Sequence, residues 1–244
     1  MEPREYAAMR RAEDDHWWYR GLRTILSSFL SRLSFRKREM ALDIGCGTGG
    51  TLRNVDLAQD AIGLDASSRA LGYCRRDGLR LLVRGSANLL PFRSGAVDVV
   101  TSLDVLCHRS ILPRQVVAEV RRVLSDGGVF CLNLPAFNAL QAHHDRYVGT
   151  VHRFTHGEVV RLITRAGMVV QRITYWNTVL FPLELAYRLA DKCLLPERTR
   201  SEVALDHPLL DKLFLSIMRL EAALLRWVRL PIGLSVLTVA RRKR

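Results

Sequence analysis

The stretch MALDIGCGTGG, residues 40–50, decides the fold class, because a short apolar segment runs directly into a cluster of four glycines. The apolar segment predicts a buried strand, and a helical pattern begins near Thr51. Glycines let the backbone turn sharply and come close to a ligand, and the first turn of a helix offers unpaired N–H groups. The stretch therefore predicts a nucleotide-type loop at the carboxyl end of a first parallel strand.

Two kinds of ligand suit such a loop. Gly45, Gly47 and Gly50 satisfy the G-x-G-x-x-G pattern of dinucleotide-binding loops, and Asp65 lies where the ribose-binding acid of that pattern falls. Asp43 argues against a dinucleotide, because a carboxylate two residues before the first glycine would repel a pyrophosphate. It suits a ligand that carries positive charge, as S-adenosylmethionine does through its amino group and its sulfonium.

The residues LDIGCGTGG, 42–50, resemble the first motif of class I S-adenosylmethionine-dependent methyltransferases, and the resemblance covers roughly residues 40–175. It implies an α/β fold with a Rossmann-like, doubly wound seven-stranded sheet. It also implies methyl transfer as the activity, S-adenosyl-L-methionine as the cofactor and S-adenosyl-L-homocysteine as its product. The positions that match cofactor contacts of the family are Asp43, Gly45, Cys46, Gly47, Gly49, Asp65, Ala66, Ser86, Ala87 and Leu103.

The adenosine end of this site is predicted on the next two strands. A second short strand, residues 61–65, ends in Asp65, whose carboxylate can accept hydrogen bonds from both ribose hydroxyls. After a third strand at 79–83, Ser86 stands where the family has an acid that contacts the adenine edge. A hydroxyl accepts more weakly than a carboxylate, so adenine selection would lean on the Ala87 N–H.

The turn after a fourth strand at 97–103 separates substrate classes. Methyltransferases that act on exocyclic amines of nucleic-acid bases carry an (Asp/Asn)-Pro-Pro-aromatic turn there, whereas this chain has SLDVLCH at 102–108. The residues Asn133-Leu134-Pro135 look similar but stand at the end of the fifth strand, predicted at 129–134, and not after the fourth. The turn resembles the small-molecule branch that includes the quinone-biosynthesis methyltransferases, so nucleic-acid methylation becomes a minor hypothesis.

The loop at residues 135–155 gathers the candidate catalytic and substrate-binding groups, since it follows the fifth strand on the edge where open α/β sheets bind ligands. It resembles an H-D-x-x-x-G-H-x-R-R-Y-T pattern of bacterial small-molecule methyltransferases, from which Thr150 and Phe154 depart. Its candidate groups are His143, His144, Asp145, Tyr147, His152 and Arg153.

Methyl transfer to a hydroxyl needs a base as well as alignment. His144, with Asp145 adjacent, is the preferred base for an O-methylation, His108 is the second choice, and His143 is a further candidate. Tyr147, His152 and Arg153 are candidate substrate-binding residues. Arg153 either holds an anionic group or pairs with an acid.

The N-terminal part, residues 1–39, is predicted to be a polar arm or loose helix followed by an amphipathic lid helix. Trp17, Trp18, Arg20 and Arg23 stand at the start of that helix and could cover the adenosine or hold the methionine carboxylate. Trp18 and Arg23 are the preferred cofactor contacts. The alternative is that the tryptophans pack the helix onto the sheet.

The C-terminal part departs from the minimal fold. Residues 40–175 form the predicted cofactor-binding core, residues 176–232 a helical insertion or cap, and residues 233–244 the last strand and a basic tail. The insertion contains a predicted helix at 209–230 with a wide apolar surface. That surface either covers the substrate cleft or contacts a membrane or a partner.

The composition bounds the class of protein. Residues 151–244 hold sixteen basic and eight acidic side chains, and so supply +8 of the net charge of +13. This excess favours an anionic partner such as a membrane surface, or reflects solvated arginines. Five cysteines without a C-x-x-C pair predict reduced thiols in a cytoplasmic protein and no metal site. The first eighteen residues lack the apolar core of a signal peptide.

The sequence thus predicts a methyltransferase that acts on a small or lipid-like acceptor, at oxygen. A cofactor-binding protein without activity, with the insertion as an interaction module, is the alternative from another class. The localisation expected is cytoplasmic, with peripheral membrane contact left open, and the oligomeric state stays undetermined.

Overall fold

The computed structural model describes residues 3–33, 39–141, 145, 148–186 and 208–243. Its named helices are α1 (Pro3–Ala12), α2 (Trp17–Leu30), α3 (Gly50–Asn54), α4 (Ser68–Arg76), α5 (Pro113–Val123), α6 (His156–Arg165) and α7 (Pro208–Leu224). The strands are β1 (Met40–Ile44), β2 (Asp60–Asp65), β3 (Leu82–Arg84), β4 (Val97–Leu103), β5 (Leu124–Pro135), β6 (Met168–Trp176) and β7 (Ser235–Arg242). Residues 181–186 are also helical.

The strands form one sheet in the order β3-β2-β1-β4-β5-β7-β6. The first five of these are parallel to one another, and β7 runs antiparallel to both β5 and β6. This confirms the predicted Rossmann-like, seven-stranded α/β fold. The parallel order places the carboxyl ends of β1, β2 and β4 together at one edge, which is the edge where such sheets bind ligands.

Helices cover both faces of the sheet. Valines of α5 and Val159 and Ile163 of α6 pack on one face, against residues such as Leu42 and Phe130. Leu22, Ile25 and Leu26 of α2 pack on the other face with Met218 of α7. The predicted insertion therefore contributes a helix to the core of the molecule. None of the helices in the described ranges is long and apolar enough to cross a bilayer.

Side chains cap the starts of two helices. The Ser67 hydroxyl accepts from the Ala70 N–H at the start of α4, and Thr155 and Glu158 form the capping box of α6. The four cysteines in the described residues, at positions 46, 74, 107 and 131, are buried and free.

The third strand and the last helix differ from their predicted bounds. The third strand begins at Leu82 because Gly78, in the left-handed conformation, lets the Leu79 N–H bond to the Cys74 carbonyl and close the end of α4. The last helix ends at Leu224, where Trp227 bonds back only three residues and tightens the final turn. Residues 3–12, predicted to be a polar arm or loose helix, form the helix α1, which is the second of these alternatives.

Gly233 provides a test of the packing at the start of β7. A Cβ atom at this position would overlap the main-chain carbonyl of Trp176, which the sheet holds in place, whereas a Cβ atom at Gly72 in α4 would meet nothing within 4 Å. We expect Gly233→Ala to lower the free energy of unfolding by about 2–4 kcal/mol, through backbone displacement. Gly72→Ala should raise it by about 0.5–1 kcal/mol. Urea unfolding measures both, and equal stabilities would contradict this packing.

Candidate cofactor and substrate site

The loop between β1 and α3 requires glycine at three positions. Gly45, Gly47 and Gly49 have φ angles of 71°, 55° and 90°, in the region that L side chains rarely adopt. A Cβ atom on Gly45 would clash with the Val105 side chain, and one on Gly47 would lie 2.6 Å from Met9 Cε. Glycine at these positions therefore lets Val105 and Met9 pack directly against the backbone of the loop.

Asp43, the carboxylate that distinguished between the two ligands, is buried at the base of this loop. Its side chain accepts a hydrogen bond from Thr101 Oγ1 at 2.6 Å, and the residue is 3% exposed. Burial raises the pKa of Asp43 to about 7, which the Thr101 hydrogen bond opposes and the carboxylates of Glu13 and Asp65 assist. A buried carboxylate without a cationic partner is poorly solvated, so this position favours a ligand that supplies positive charge.

Asp65 ends β2 and holds the loop in place. Its two oxygens accept hydrogen bonds from the Gly47 N–H at 3.0 Å and the Ser67 N–H at 2.8 Å. Burial raises its pKa, and these two N–H groups oppose the shift. Each carboxylate oxygen can accept more than one hydrogen bond, so both remain able to accept from ribose hydroxyls.

The other predicted cofactor contacts surround this loop. Cys46 and Ala87 are buried, Leu103 is partly buried, and Ala66 and Ser86 are exposed. The Ser86 hydroxyl accepts a hydrogen bond from the Asn88 N–H at 3.2 Å. Their contacts with the cofactor stay predictions.

The helix α1 covers the glycine loop, which sequence analysis missed. The Glu13 carboxylate, just after α1, accepts from the Gly50 N–H at 3.2 Å, at the start of α3. An acid therefore stands where a dinucleotide would place its pyrophosphate. Met9 lies over Gly47, and the hydroxyl of Tyr6 is close enough to Asp65 for the carboxylate to raise its pKa, after the larger effect of burial.

An ion-pair network holds α1 in this position. Arg53 of α3 donates to Asp77 at 2.7 Å, to Glu13 at 3.1 Å and to Asp14 at 3.3 Å. Arg10 of α1 also donates to Asp77, at 2.8 Å. The guanidinium groups thus link α1, α3 and the end of α4, so the first helix and the glycine loop form one unit.

The predicted lid residues of α2 make two kinds of contact: the tryptophans pack against other aromatic rings, and Arg23 lies beside the cofactor loop. Trp17 packs edge-on against Phe214 of α7, at 5.4 Å between ring centroids. Trp18 lies near Trp176, at the carboxyl end of β6, with ring centroids 6.2 Å apart. Arg23 is buried and donates to the Glu13 carbonyl at 2.6 Å, beside the cofactor loop. Burial lowers the pKa of Arg23. Its role toward a carboxylate remains a prediction.

Asp104 is a second site residue that sequence analysis did not single out. It follows β4 with a φ of 56°, and its carboxylate accepts from Asn133 Nδ2 at 3.0 and 3.1 Å. Asn133 in turn accepts from Trp176 Nε1 at 2.7 Å. Burial of the carboxyl group raises the pKa of Asp104 to about 7, although the residue as a whole is only partly buried. A positive φ at a non-glycine residue after β4 is a signal that only a structure supplies.

His108 lies on the same turn. Its pKa is lowered, chiefly by burial, so its imidazole is neutral at pH 7. A backbone hydrogen bond with Gly149 and the nearby Asp65 carboxylate oppose this shift. The isolated bridge between His108 and Thr150 brings the β4 turn and the predicted catalytic loop together.

The predicted catalytic loop is described only in part. His143, His144 and Tyr147 lie outside the described residues, and their roles stay predictions. Asp145 and Arg153 are both buried and form an ion pair, with Arg153 Nη2 donating to Asp145 Oδ1 at 2.7 Å. This is the pairing alternative for Arg153, and burial of the pair limits direct substrate contact by either side chain. His152 Nε2 lies 3.3 Å from Oε1 of Glu158 in α6.

Residues 42–132 match the family described as "Methyltransferase domain". The match runs from β1 into β5. The cofactor predicted from sequence is S-adenosylmethionine, and a geranyl diphosphate methyltransferase of similar fold, 18% identical with a TM-score of 0.55, was solved in complex with it. Three observations on this chain fit that group: the buried carboxylate of Asp43, the glycine cradle that excludes a Cβ atom, and the buried Thr48 hydroxyl, which has no hydrogen-bond partner among the described residues. No group of His, Cys, Asp or Glu in the same ranges is arranged to hold a metal ion.

Similarity to other proteins extends beyond residues 42–132. The chain is 28% identical over 162 residues to a probable S-adenosylmethionine-dependent methyltransferase of Mycolicibacterium smegmatis, covering 65% of this chain and 62% of that protein. It is 32% identical over 145 residues to a malonyl-[acyl-carrier protein] O-methyltransferase of Geobacter sulfurreducens, covering 52% and 54%. The chain spans less than two thirds of the length of these relatives.

A solved structure shares the whole fold. A chain in the complex between the Haloferax volcanii Trm112 methyltransferase activator and the putative methyltransferase superposes with a TM-score of 0.64. It covers 100% of this chain and 98% of that one at 20% sequence identity. This likeness supports the fold of the methyltransferase domain together with its flanking helices.

The protonation of Asp43 predicts how cofactor affinity depends on pH. A cationic ligand requires the ionised carboxylate, whose pKa is about 7. We therefore expect the affinity for S-adenosylmethionine to be constant above that pKa and to fall by up to about tenfold per pH unit below it. Asp43→Asn should bind more weakly above pH 7 and lack this pH dependence. Calorimetric titration across the range measures both.

Thr101→Val provides the matched control for this pH dependence. The substitution keeps the shape of the side chain and removes the hydrogen bond that lowers the pKa of Asp43. The pH at which affinity begins to fall should therefore move upward. An unchanged profile in both variants would assign the pH dependence to a different group.

Proposed function

We propose that this protein transfers the methyl group of S-adenosylmethionine to a hydroxyl of a small or lipid-like acceptor. When bound, S-adenosylmethionine supplies an electrophilic methyl group and leaves as a neutral thioether. The chain must then align the acceptor, exclude water and remove the hydroxyl proton. The single observation that carries the choice of oxygen is the group of proton acceptors on the turn after β4.

Asp104 and His108 are the acceptors on that turn. Asp104 has a pKa of about 7 and His108 is neutral at that pH, so each can take a proton under physiological conditions. The pairing of Asn133 with both Asp104 oxygens fixes the orientation of the carboxyl group. Because β4 is the neighbour of β1, this turn lies next to the cofactor loop. His144 remains the base preferred from sequence.

The surroundings of the turn support an apolar acceptor. Phe137 has a φ of 58°. Its ring stacks on the Tyr175 ring, with 4.9 Å between centroids, and lies edge-on to the Phe181 ring, with 6.4 Å between centroids. Phe137 follows β5, Tyr175 and Trp176 are the last residues of β6, and Trp18 of α2 lies beside Trp176. The named activity of the Geobacter sulfurreducens relative, an O-methyltransferase, supports transfer to oxygen.

The activity test uses the full chain with methyl-labelled S-adenosylmethionine and a panel of phenolic, carboxylic and isoprenoid acceptors. We expect label in at least one acceptor, on oxygen, as shown by mass spectrometry. Label on nitrogen or in nucleic acid would overturn the acceptor class. Tight cofactor binding with no labelled product from the panel or from a cell extract would favour the binding-protein alternative.

The identity of the base is tested by single replacements. Asp104→Asn, His108→Gln, His143→Gln and His144→Gln each remove one proton acceptor, and loss of the true base should lower kcat by about 10²–10⁴-fold with cofactor affinity retained. If Asp104 is the base, kcat of the parent protein should rise with pH around 7. Asp98→Asn is the matched control. This buried aspartate accepts hydrogen bonds from the Glu39 and Met40 N–H groups, at the edge of the sheet opposite the candidate site. If all four variants have the same kcat as the parent protein, none of the four residues is the base.

A further inference from the structure

One side of α7 and of the turn after it is apolar and open to solvent. Its residues are separated by three, four or seven positions and therefore lie on one side of a helix. They are Leu209, Leu213, Leu220, Leu224 and Trp227, which are 70%, 53%, 73%, 49% and 79% exposed. The opposite side of α7 packs against α2, for example through Met218, which contacts Gly21. The exposed side is called the outer face below.

A basic row runs beside the outer face. Lys212, Arg219 and Arg226 are exposed, and each directly precedes an apolar residue of the face. Among the described residues no ion pair joins these three side chains to a carboxylate. Arg32 adds a further positive charge at the far end, where its guanidinium lies 4.9 Å from the centre of the Trp227 ring. The outer face thus combines apolar side chains, an exposed tryptophan and exposed cations.

We propose that the outer face docks on the surface of an anionic phospholipid bilayer. Leucine side chains would enter the acyl boundary, the tryptophan would lie at the level of the headgroups, and the basic row would meet lipid phosphates. The excess of positive charge in residues 151–244 acts in the same direction. A second copy of the chain fits this face less well, because a symmetric contact would bring two basic rows together.

The outer face begins near the substrate edge of the sheet. Asp211, in the first turn of α7, accepts from the Trp17 N–H at 3.4 Å, and the next residue, Trp18, lies beside Trp176 at the end of β6. Docking would therefore bring the carboxyl edge of the sheet toward the bilayer. The docking proposal does not depend on the acceptor, since it stands on this face alone and methyl transfer in solution can succeed or fail without it.

Vesicle sedimentation of the full chain tests the proposal, with phosphatidylcholine vesicles that either contain or lack phosphatidylglycerol. We expect binding to the anionic vesicles at low salt, weaker binding at high salt and little binding to the neutral ones. Lys212→Gln, Arg219→Gln and Arg226→Gln should each reduce the partition coefficient by about fivefold. The double variant with Leu220→Gln and Trp227→Gln should reduce it by about a hundredfold.

The control variants are Arg161→Gln, Arg165→Gln and Leu112→Gln, which change exposed residues of α6 and of the turn before α5. They should bind vesicles as the parent does, and thermal unfolding should show that all variants remain folded. Absence of binding to anionic vesicles would overturn the proposal, as would an equal loss in the control variants. A dimer in solution that dissociates only in the Leu220 and Trp227 variant would instead assign the face to a second copy.

Discussion

The site depends on a buried carboxylate beside a glycine loop. Asp43 is almost fully buried, and its hydrogen-bond partner among the described residues is the neutral hydroxyl of Thr101. The positive φ angles of three glycines bring the backbone of the loop close to its neighbours. Such a carboxylate is costly to ionise in the protein interior unless a cation arrives. The chain therefore carries a preference for a positively charged ligand before any ligand binds.

The cover over this loop follows from a second set of charges. The Glu13 carboxylate accepts a hydrogen bond from the first turn of α3. Arg53 donates to Glu13, Asp14 and Asp77. The carboxylates of Glu13 and Asp43 both disfavour an anionic cofactor, so both favour a ligand that carries positive charge. Because α1 lies over Gly47, exchange of the cofactor requires this helix to move or the ligand to enter beside it.

Sequence reasoning succeeded where the determinants are local. The glycine loop and the acids at the ends of β1 and β2 each depend on residues within a few positions of one another. It failed where contacts join distant residues, as between Glu13 and Gly50 or Asp104 and Asn133. Nothing in the polar segment 3–15 shows that it folds over the loop, and the raised pKa of Asp104 arises from burial that sequence does not reveal. For Arg153, the sequence left pairing with an acid as one of two alternatives, and the structure identifies Asp145 as the partner.

The most direct test of this account is calorimetric titration of the full chain with S-adenosylmethionine, S-adenosylhomocysteine and NAD at a pH above 7, where Asp43 is ionised. The account predicts saturable binding of S-adenosylmethionine and of its demethylated product, and no heat of binding with NAD. Tight binding of NAD together with no binding of either sulfur nucleoside would contradict it.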